Sequence, residues 1–158
     1  ISWQGKSVAS QKRRFRAVLG YAPQRIDFPE DISAMDFLLH IAALKSIGRA
    51  QAKTQAEALL GRLGLARDAG GKIRTFSGGM RRRLGLAQAC LGTPEILIFD
   101  EPTAELDPVT AGHVHDLIFD YAAQGATILM TTHLTAGLAG RPYETFHISA
   151  ELEPVAAS

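Results

Sequence analysis

The residues most able to do chemistry in this chain lie at 96–101, where Ile96, Leu97, Ile98 and Phe99 run into Asp100 and Glu101. An apolar run that ends in two acids places both carboxylates at the C-terminal edge of a strand, where open α/β sheets bind ligands. An aspartate there can hold Mg²⁺, usually through water, because Mg²⁺ takes oxygen ligands and keeps much of its hydration. A glutamate beside it can accept a proton from an attacking water. A second segment, Ser77-Gly78-Gly79-Met80, opens a helical run. A hydroxyl, exposed backbone N–H groups and the positive end of a helix dipole suit a phosphate oxygen. A third, Thr131-Thr132-His133, comes after another apolar run and offers an imidazole donor at a strand end. Each alone has a plainer reading: two solvated acids, an N-cap with a flexible turn, a loop histidine.

The elements that must position these groups are readable from pattern. Residues 18–21 are β-prone and closed by Pro23. Ser33 caps a helix whose apolar positions run over 37–44. Residues 50–63, rich in Ala, Gln, Leu and Glu, predict a second helix that Gly64 ends. Residues 80–91 predict a third, stopped by Gly92 and Pro94. The wholly apolar run 96–99 predicts a parallel strand covered on both faces. Pro108 starts a helix over 108–121, residues 127–130 predict a second buried strand, and 145–148 a third. Strands alternating with helices give an α/β fold with a mainly parallel sheet.

The chain has 158 residues, enough for one domain, with 46% apolar and 21% charged residues. A net charge of +1 gives no whole-chain field that calls for nucleic acid. No apolar run approaches the ~20 residues that span a bilayer. The single cysteine, Cys90, excludes a disulfide within the chain and reads as a small core residue. His113 and His115 are two apart on a helix and do not face one another as a metal pair. Lys12, Arg13, Arg14 and Arg16 read as a solvated face.

Taken together and in order, these segments resemble the ATP-binding cassette (ABC) ATPases over about residues 1–135. Ser77-Gly78-Gly79-Met80 resembles the signature motif, and residues 96–101 the Walker B strand with its catalytic glutamate. Glu105-Leu106-Asp107 resembles the D-loop, His133 the H-loop switch histidine, and Tyr21-Ala22-Pro23-Gln24 the Q-loop. The resemblance implies a partial P-loop NTPase fold over residues 1–150, with a tail over 151–158. Residues 25–95 would form an α-helical signature subdomain and residues 95–150 a RecA-like core. It implies that ATP and Mg²⁺ are bound: Asp100 and Gln24 would serve the metal, Glu101 would be the general base, and His133 and Gln24 would act at the γ-phosphate and the lytic water. Ser77, Gly78 and Gly79 would contact ATP held by a second subunit, and Asp107 would help join the two sites. Met80 followed by Arg81, Arg82 and Arg83 is similar to cassettes of ABC-2-like exporters, whose membrane domains are separate chains. Phe76 stands where Leu is usual, and Glu105 where a small residue is usual.

Gly5-Lys6-Ser7 imitates the end of a phosphate-binding loop but is rejected. The inner glycine would be position 3, which is Trp3, and Lys6 lies 18 positions before Gln24, too near for the intervening elements. Residues 1–8 instead resemble a turn in the small antiparallel sheet. The Walker A lysine and the adenine-stacking aromatic are therefore expected upstream of Ile1, in a longer gene product, and the chain alone is expected to bind ATP poorly.

The resulting expectation is an ATPase subunit, cytoplasmic and held at the membrane's inner face by a permease, that dimerises with a second ATPase subunit and powers export, with no nucleic acid partner. The rivals are a soluble ABC protein acting on ribosomes or nucleic acid, and a non-catalytic truncated remnant.

Overall fold

The computed structural model describes residues 2–133, 136–138 and 140–146. A hairpin of β1 (Ser2–Trp3) and β2 (Lys6–Ser7) pairs Ser2 with Ser7 around Gln4 and Gly5, both at positive φ. This is the antiparallel turn expected there. A short 3₁₀ turn leads from it into the seven-residue α1 (Lys12–Val18). The chain then enters β3 (Leu19–Ala22), a helical region of α2 (Ala34–Leu44), α3 (Arg49–Arg62) and α4 (Gly78–Cys90), then β4 (Ile96–Asp100), α5 (Pro108–Ala123) and β5 (Thr127–Thr131).

The sheet is parallel, in the order β3-β4-β5, with Ala22 beside Phe99 and Asp100 beside Thr131. All three strands therefore end at one edge, which collects Gln24, Asp100, Glu101 and His133. Gly20, Ala22, Leu97 and Phe99 form the buried face. A Cβ on Gly20 would lie 2.1 Å from the Ala89 carbonyl oxygen, so the glycine lets α4 press against β3. Val114, Leu117 and Ile118 of α5 join the same core as Leu97 and Phe99. Two crossovers in one direction that both follow the right-handed rule lay their helices on one face, as the shared core of α4 and α5 shows.

The other face corrects the expected double cover. Ile96 and Ile98 are only half-buried, and β5 is open, with Leu129 57% exposed. Neither β4 nor β5 is buried on both sides, because α4 and α5 cover the same face. Residues 145 and 146 belong to no regular element, and 147–148, with the tail, lie outside the described residues.

The helical region closes on itself. Ala34, Phe37, Leu38, Ala52, Ala56, Leu59, Leu60, Leu84 and Leu86 are buried together, and Phe28 meets Phe37 edge to face at 5.1 Å. Ser33 caps α2 by accepting the Asp36 N–H at 3.0 Å. Cys90 is buried there, its thiol pushed up to about 12 by desolvation. Among the described residues no helix is long and apolar enough to cross a membrane.

Candidate functional site

The site is built where β4 and β5 end side by side. Their register sets Thr131 opposite Asp100, and the Thr131 hydroxyl donates to Asp100 Oδ1 at 2.6 Å. One residue further, the backbone turns sharply: Glu101 has φ 49°, in the left-handed region that costs a side-chain-bearing residue about 1–2 kcal/mol. Three bonds offset that cost. The Glu101 N–H donates to the Thr131 carbonyl at 3.1 Å and to its hydroxyl at 3.2 Å, and Arg82 of α4 donates to the Glu101 carbonyl at 2.6 Å. The strained turn lifts the Glu101 carboxylate off the strand and aims it along the sheet edge. Such strain is held only where neighbours over-determine it, and it clusters at functional sites.

His133 Nδ1 lies 2.9 Å from Glu101 Oε1. An ionised carboxylate only accepts, so Nδ1 carries the proton in this pair. The Glu101 side chain is 20% exposed and that of His133 69% exposed. Glu101 Oε2 is buried with no hydrogen-bond partner among the described residues. The orphaned oxygen has an unused acceptor position, which its burial closes to water until the side chain or its neighbours move. With Nδ1–H on Glu101, a neutral His133 presents Nε2 as an acceptor. Donation from Nε2 to a phosphate oxygen then requires the imidazolium, and donation from Nδ1 requires release of Glu101.

Asp100 and Glu101 offer the hard oxygen donors that Mg²⁺ prefers. Among the described residues no group of three or more His, Cys, Asp or Glu is placed to hold a metal unaided. This donor set fits an ion that keeps water and takes further ligands from a phosphate, as Mg²⁺ does.

Ser77 caps α4, its hydroxyl accepting the Met80 N–H at 3.2 Å. Ser77 and Gly78 are exposed, and nothing lies within 4 Å of a Cβ built on Gly78. The helix start is therefore open to an outside ligand. Its tie to the rest of the site is through neighbours: a Cβ on Gly79 would touch Leu106 at 3.4 Å, and Arg82 reaches Glu101. Residues 77–79 make no hydrogen bond to Asp100, Glu101 or His133. Gln24 is exposed on the loop after β3, and its side chain makes no hydrogen bond among the described residues.

Asp107 serves as the N-cap of α5. Its Oδ1 accepts the N–H groups of Val109 (3.1 Å) and Thr110 (3.0 Å), and its Oδ2 accepts the Thr110 hydroxyl at 2.6 Å. These bonds, the Thr110 hydroxyl foremost, hold its carboxyl below the usual range. Glu105, two residues earlier, sits at φ 63°, a conformation that suits glycine.

Sequence reasoning gave no role to Arg82, Thr103 or Thr131. Thr103 is buried with an unpartnered hydroxyl, among the described residues, just beyond Glu101. Thr131 stood beside His133 in the motif, and the β4–β5 register was the missing information. Arg82 had a signal too, as one of three consecutive arginines one helical turn after Ser77.

The profile of the ABC transporter family matches residues 1–104. The linearmycin resistance ATP-binding protein LnrL of Bacillus subtilis (strain 168) is 33% identical over 129 residues, covering 82% of this chain and 40% of that protein. The daunorubicin resistance ATP-binding protein DrrA3 of Streptomyces coeruleorubidus is 36% identical over 133 residues, covering 84% and 42%. A solved ATP-binding subunit of an ABC transporter superimposes with a TM-score of 0.77 at 27% identity, covering 85% of this chain and 56% of the other. The chain thus spans about two fifths of the length of these curated relatives. With the family profile matching residues 1–104 and relatives more than 30% identical over four fifths of the chain, this chain belongs to the ABC transporter family.

Proposed function

We propose that this chain is the signature-and-catalytic portion of the ATP-hydrolysing subunit of an ABC exporter. The observation that carries the reading is the cluster of Asp100, Glu101, Thr131 and His133 at one sheet edge, with Glu101 Oε2 unpartnered among the described residues. Glu101 takes the proton of the lytic water, and His133 contacts the γ-phosphate once it leaves Glu101. Asp100, steadied by Thr131, would hold Mg²⁺ together with Gln24 of the loop after β3. When bound, Mg²⁺ neutralises charge on the transferring phosphoryl group. Phosphoryl transfer depends on such positioning and charge stabilisation more than on covalent chemistry.

Ser77, Gly78 and Gly79 meet the nucleotide of a second ATPase subunit, in keeping with their openness and with their lack of any bond to this chain's own acids. Asp107 fixes the start of α5 at that seam. Residues 25–95 form the helical subdomain that faces a separate membrane permease, and residues 95–150 the catalytic core, at the cytoplasmic face of the membrane. The names of the relatives, two of them resistance proteins, support export. Their identity does not extend to the cargo.

In the complete subunit, Glu101→Gln retains ATP and lowers phosphate release by on the order of 10²-fold or more. Undiminished hydrolysis in a phosphate-release assay overturns the role of Glu101. For the 158-residue chain, calorimetry finds weak MgATP binding, and tight binding overturns the expectation that the phosphate-binding loop lies elsewhere.

A further inference from the structure

The whole-chain charge of +1 hides a strong asymmetry. Lys6, Lys12, Arg13, Arg14, Arg16 and Arg25 fall within the first 26 residues, whereas all 16 acidic residues lie beyond them. Read as sequence, the cluster at 12–16 is a solvated face. The fold adds that its charge has no acidic side-chain partner among the described residues.

Most cations elsewhere in the chain are engaged with partners. Arg62 pairs with Asp120, Lys72 and Arg74 with Asp31, Arg81 with Glu30, Lys53 with Glu57, and Arg141 with Asp116. Lys45, Arg82 and Arg83 donate to backbone carbonyls. By contrast, the side chains of Lys6, Lys12, Arg13 and Arg16 make no ion pair or hydrogen bond among the described residues. Arg14 reaches only the neutral Gln4 at 3.3 Å and the face of Trp3 at 5.4 Å.

The hairpin and α1 form one small unit. Gln11 donates to the Trp3 carbonyl at 2.9 Å, and Trp3 meets Phe15 edge to face at 5.9 Å. The unit meets Glu95 through the neutral Gln4, whose amide lies 3.5 Å from the carboxylate, and through the Val18 carbonyl, which accepts the Glu95 N–H at 2.9 Å. With 3.6 residues per turn, Lys12, Arg16 and Arg13 share an arc of about 100° on α1, with Arg13 farthest from Phe15. Lys6, Lys12, Arg13 and Arg16 are all exposed.

We propose that this hairpin–helix unit is an electrostatic contact with the anionic lipid headgroups of the membrane. The inference rests on the proposed attachment to a membrane permease. Single-stranded nucleic acid fits less well, because it stacks on free aromatic platforms, and here Trp3 and Phe15 cover one another while Arg14 covers Trp3. A duplex, whose phosphates ask for cations alone, is decided by the oligonucleotide outcome of the test. Lipid headgroups ask only for several uncompensated cations on one surface.

The test is co-sedimentation of the chain with vesicles of about 30 mol % phosphatidylglycerol in phosphatidylcholine. Binding is expected there and not to phosphatidylcholine alone, and it weakens as salt shortens the Debye length. At about fivefold per cation, Arg13→Gln with Arg16→Gln lowers affinity roughly 25-fold. Arg49→Gln with Arg67→Gln removes the same charge from cations elsewhere that are unpaired among the described residues, and changes affinity less than about twofold if position matters. Thermal melts confirm that both pairs of exposed substitutions leave the fold intact. Equal loss in both pairs, binding to neutral vesicles, no binding at all, or Arg13- and Arg16-dependent binding to an oligonucleotide but not to vesicles overturns the proposal. If the complete subunit fails to hydrolyse ATP while the patch still binds these vesicles, the proposed function falls and the lipid contact stands.

Discussion

The helical region and the sheet region are built to different degrees of closure. In α2, α3 and α4 and the turns between them the apolar residues meet one another: Leu38, Leu60, Leu65, Ile73 and Leu84 have no exposed surface. In the sheet, one face joins that core while the other leaves Ile96 and Ile98 half-buried and Leu129 exposed. The helical region is therefore the more fully buried part of one shared core, whereas the sheet holds the proposed site on a layer covered from one side. Hydrophobic stabilisation scales with the area removed from water, so the two regions answer differently to the same change.

The largest expected effect tests this contrast directly. Leu60→Ala leaves a cavity in the closed region and costs about 2–5 kcal/mol, whereas Leu129→Ala costs within about 0.5 kcal/mol. Urea unfolding of the two variants measures both, and equal costs would remove the distinction. Cys90 gives a label for the same region. Buried, with its thiol pushed up to about 12, it reacts with a thiol reagent on the order of 10³-fold more slowly than in the unfolded chain. Rapid labelling in native buffer would show that the helical region opens freely.

Legibility in the sequence divides along the same line. Helix starts were readable where a serine cap has a local signature, as at Ser33 and Ser77, because the bond spans three residues. The site edge was readable because an apolar run ending in Asp100-Glu101 is itself local. The cover of β4 and β5 was not. Residues 127–130 look alike whether a second layer lies over them or not, since burial depends on which face each crossover helix takes. The Thr131–Asp100 bond spans 31 residues and needs the register. Asp107 was assigned to the subunit seam, but the structure shows it first as a cap, a role that Pro108 after it could have signalled.

A smaller effect lies at the junction of the two chemical loops. Glu105 holds φ 63° without needing a side chain there. Glu105→Gly relieves about 1 kcal/mol of left-handed strain, partly offset by the greater freedom of glycine in the unfolded chain. A modest rise in the urea midpoint checks this. A fall would mean that the carboxylate of Glu105 makes a contribution larger than its backbone cost.

The smallest effect concerns what cover the sheet region has. Residues 136–138 and 140–141 lie against α5, with Leu138 buried and Arg141 paired with Asp116 and stacked over Phe119 at 4.6 Å. A Cβ on Gly137 would fall 2.3 Å from the His115 ring, so only glycine allows this approach. His115 is buried with Nε2 unpartnered among the described residues, and burial first, then the nearby Arg141, lowers its pKa, while Asp116 acts the other way. The unfolded chain therefore takes up this proton at a higher pH than the native one. The contribution of His115 to stability is fully present above its ordinary value near 6.5 and is lost as pH falls through the lowered native value. Stability measured in urea drops as pH is lowered from about 6.5 toward the native value and levels off below it, and His115→Phe removes the part of the slope that belongs to this ring. Leu60→Ala lowers stability at every pH and leaves the slope unchanged. If His115→Phe kept the full slope, that segment would owe nothing to a neutral imidazole, and its hold on α5 would rest on Leu138 and Arg141.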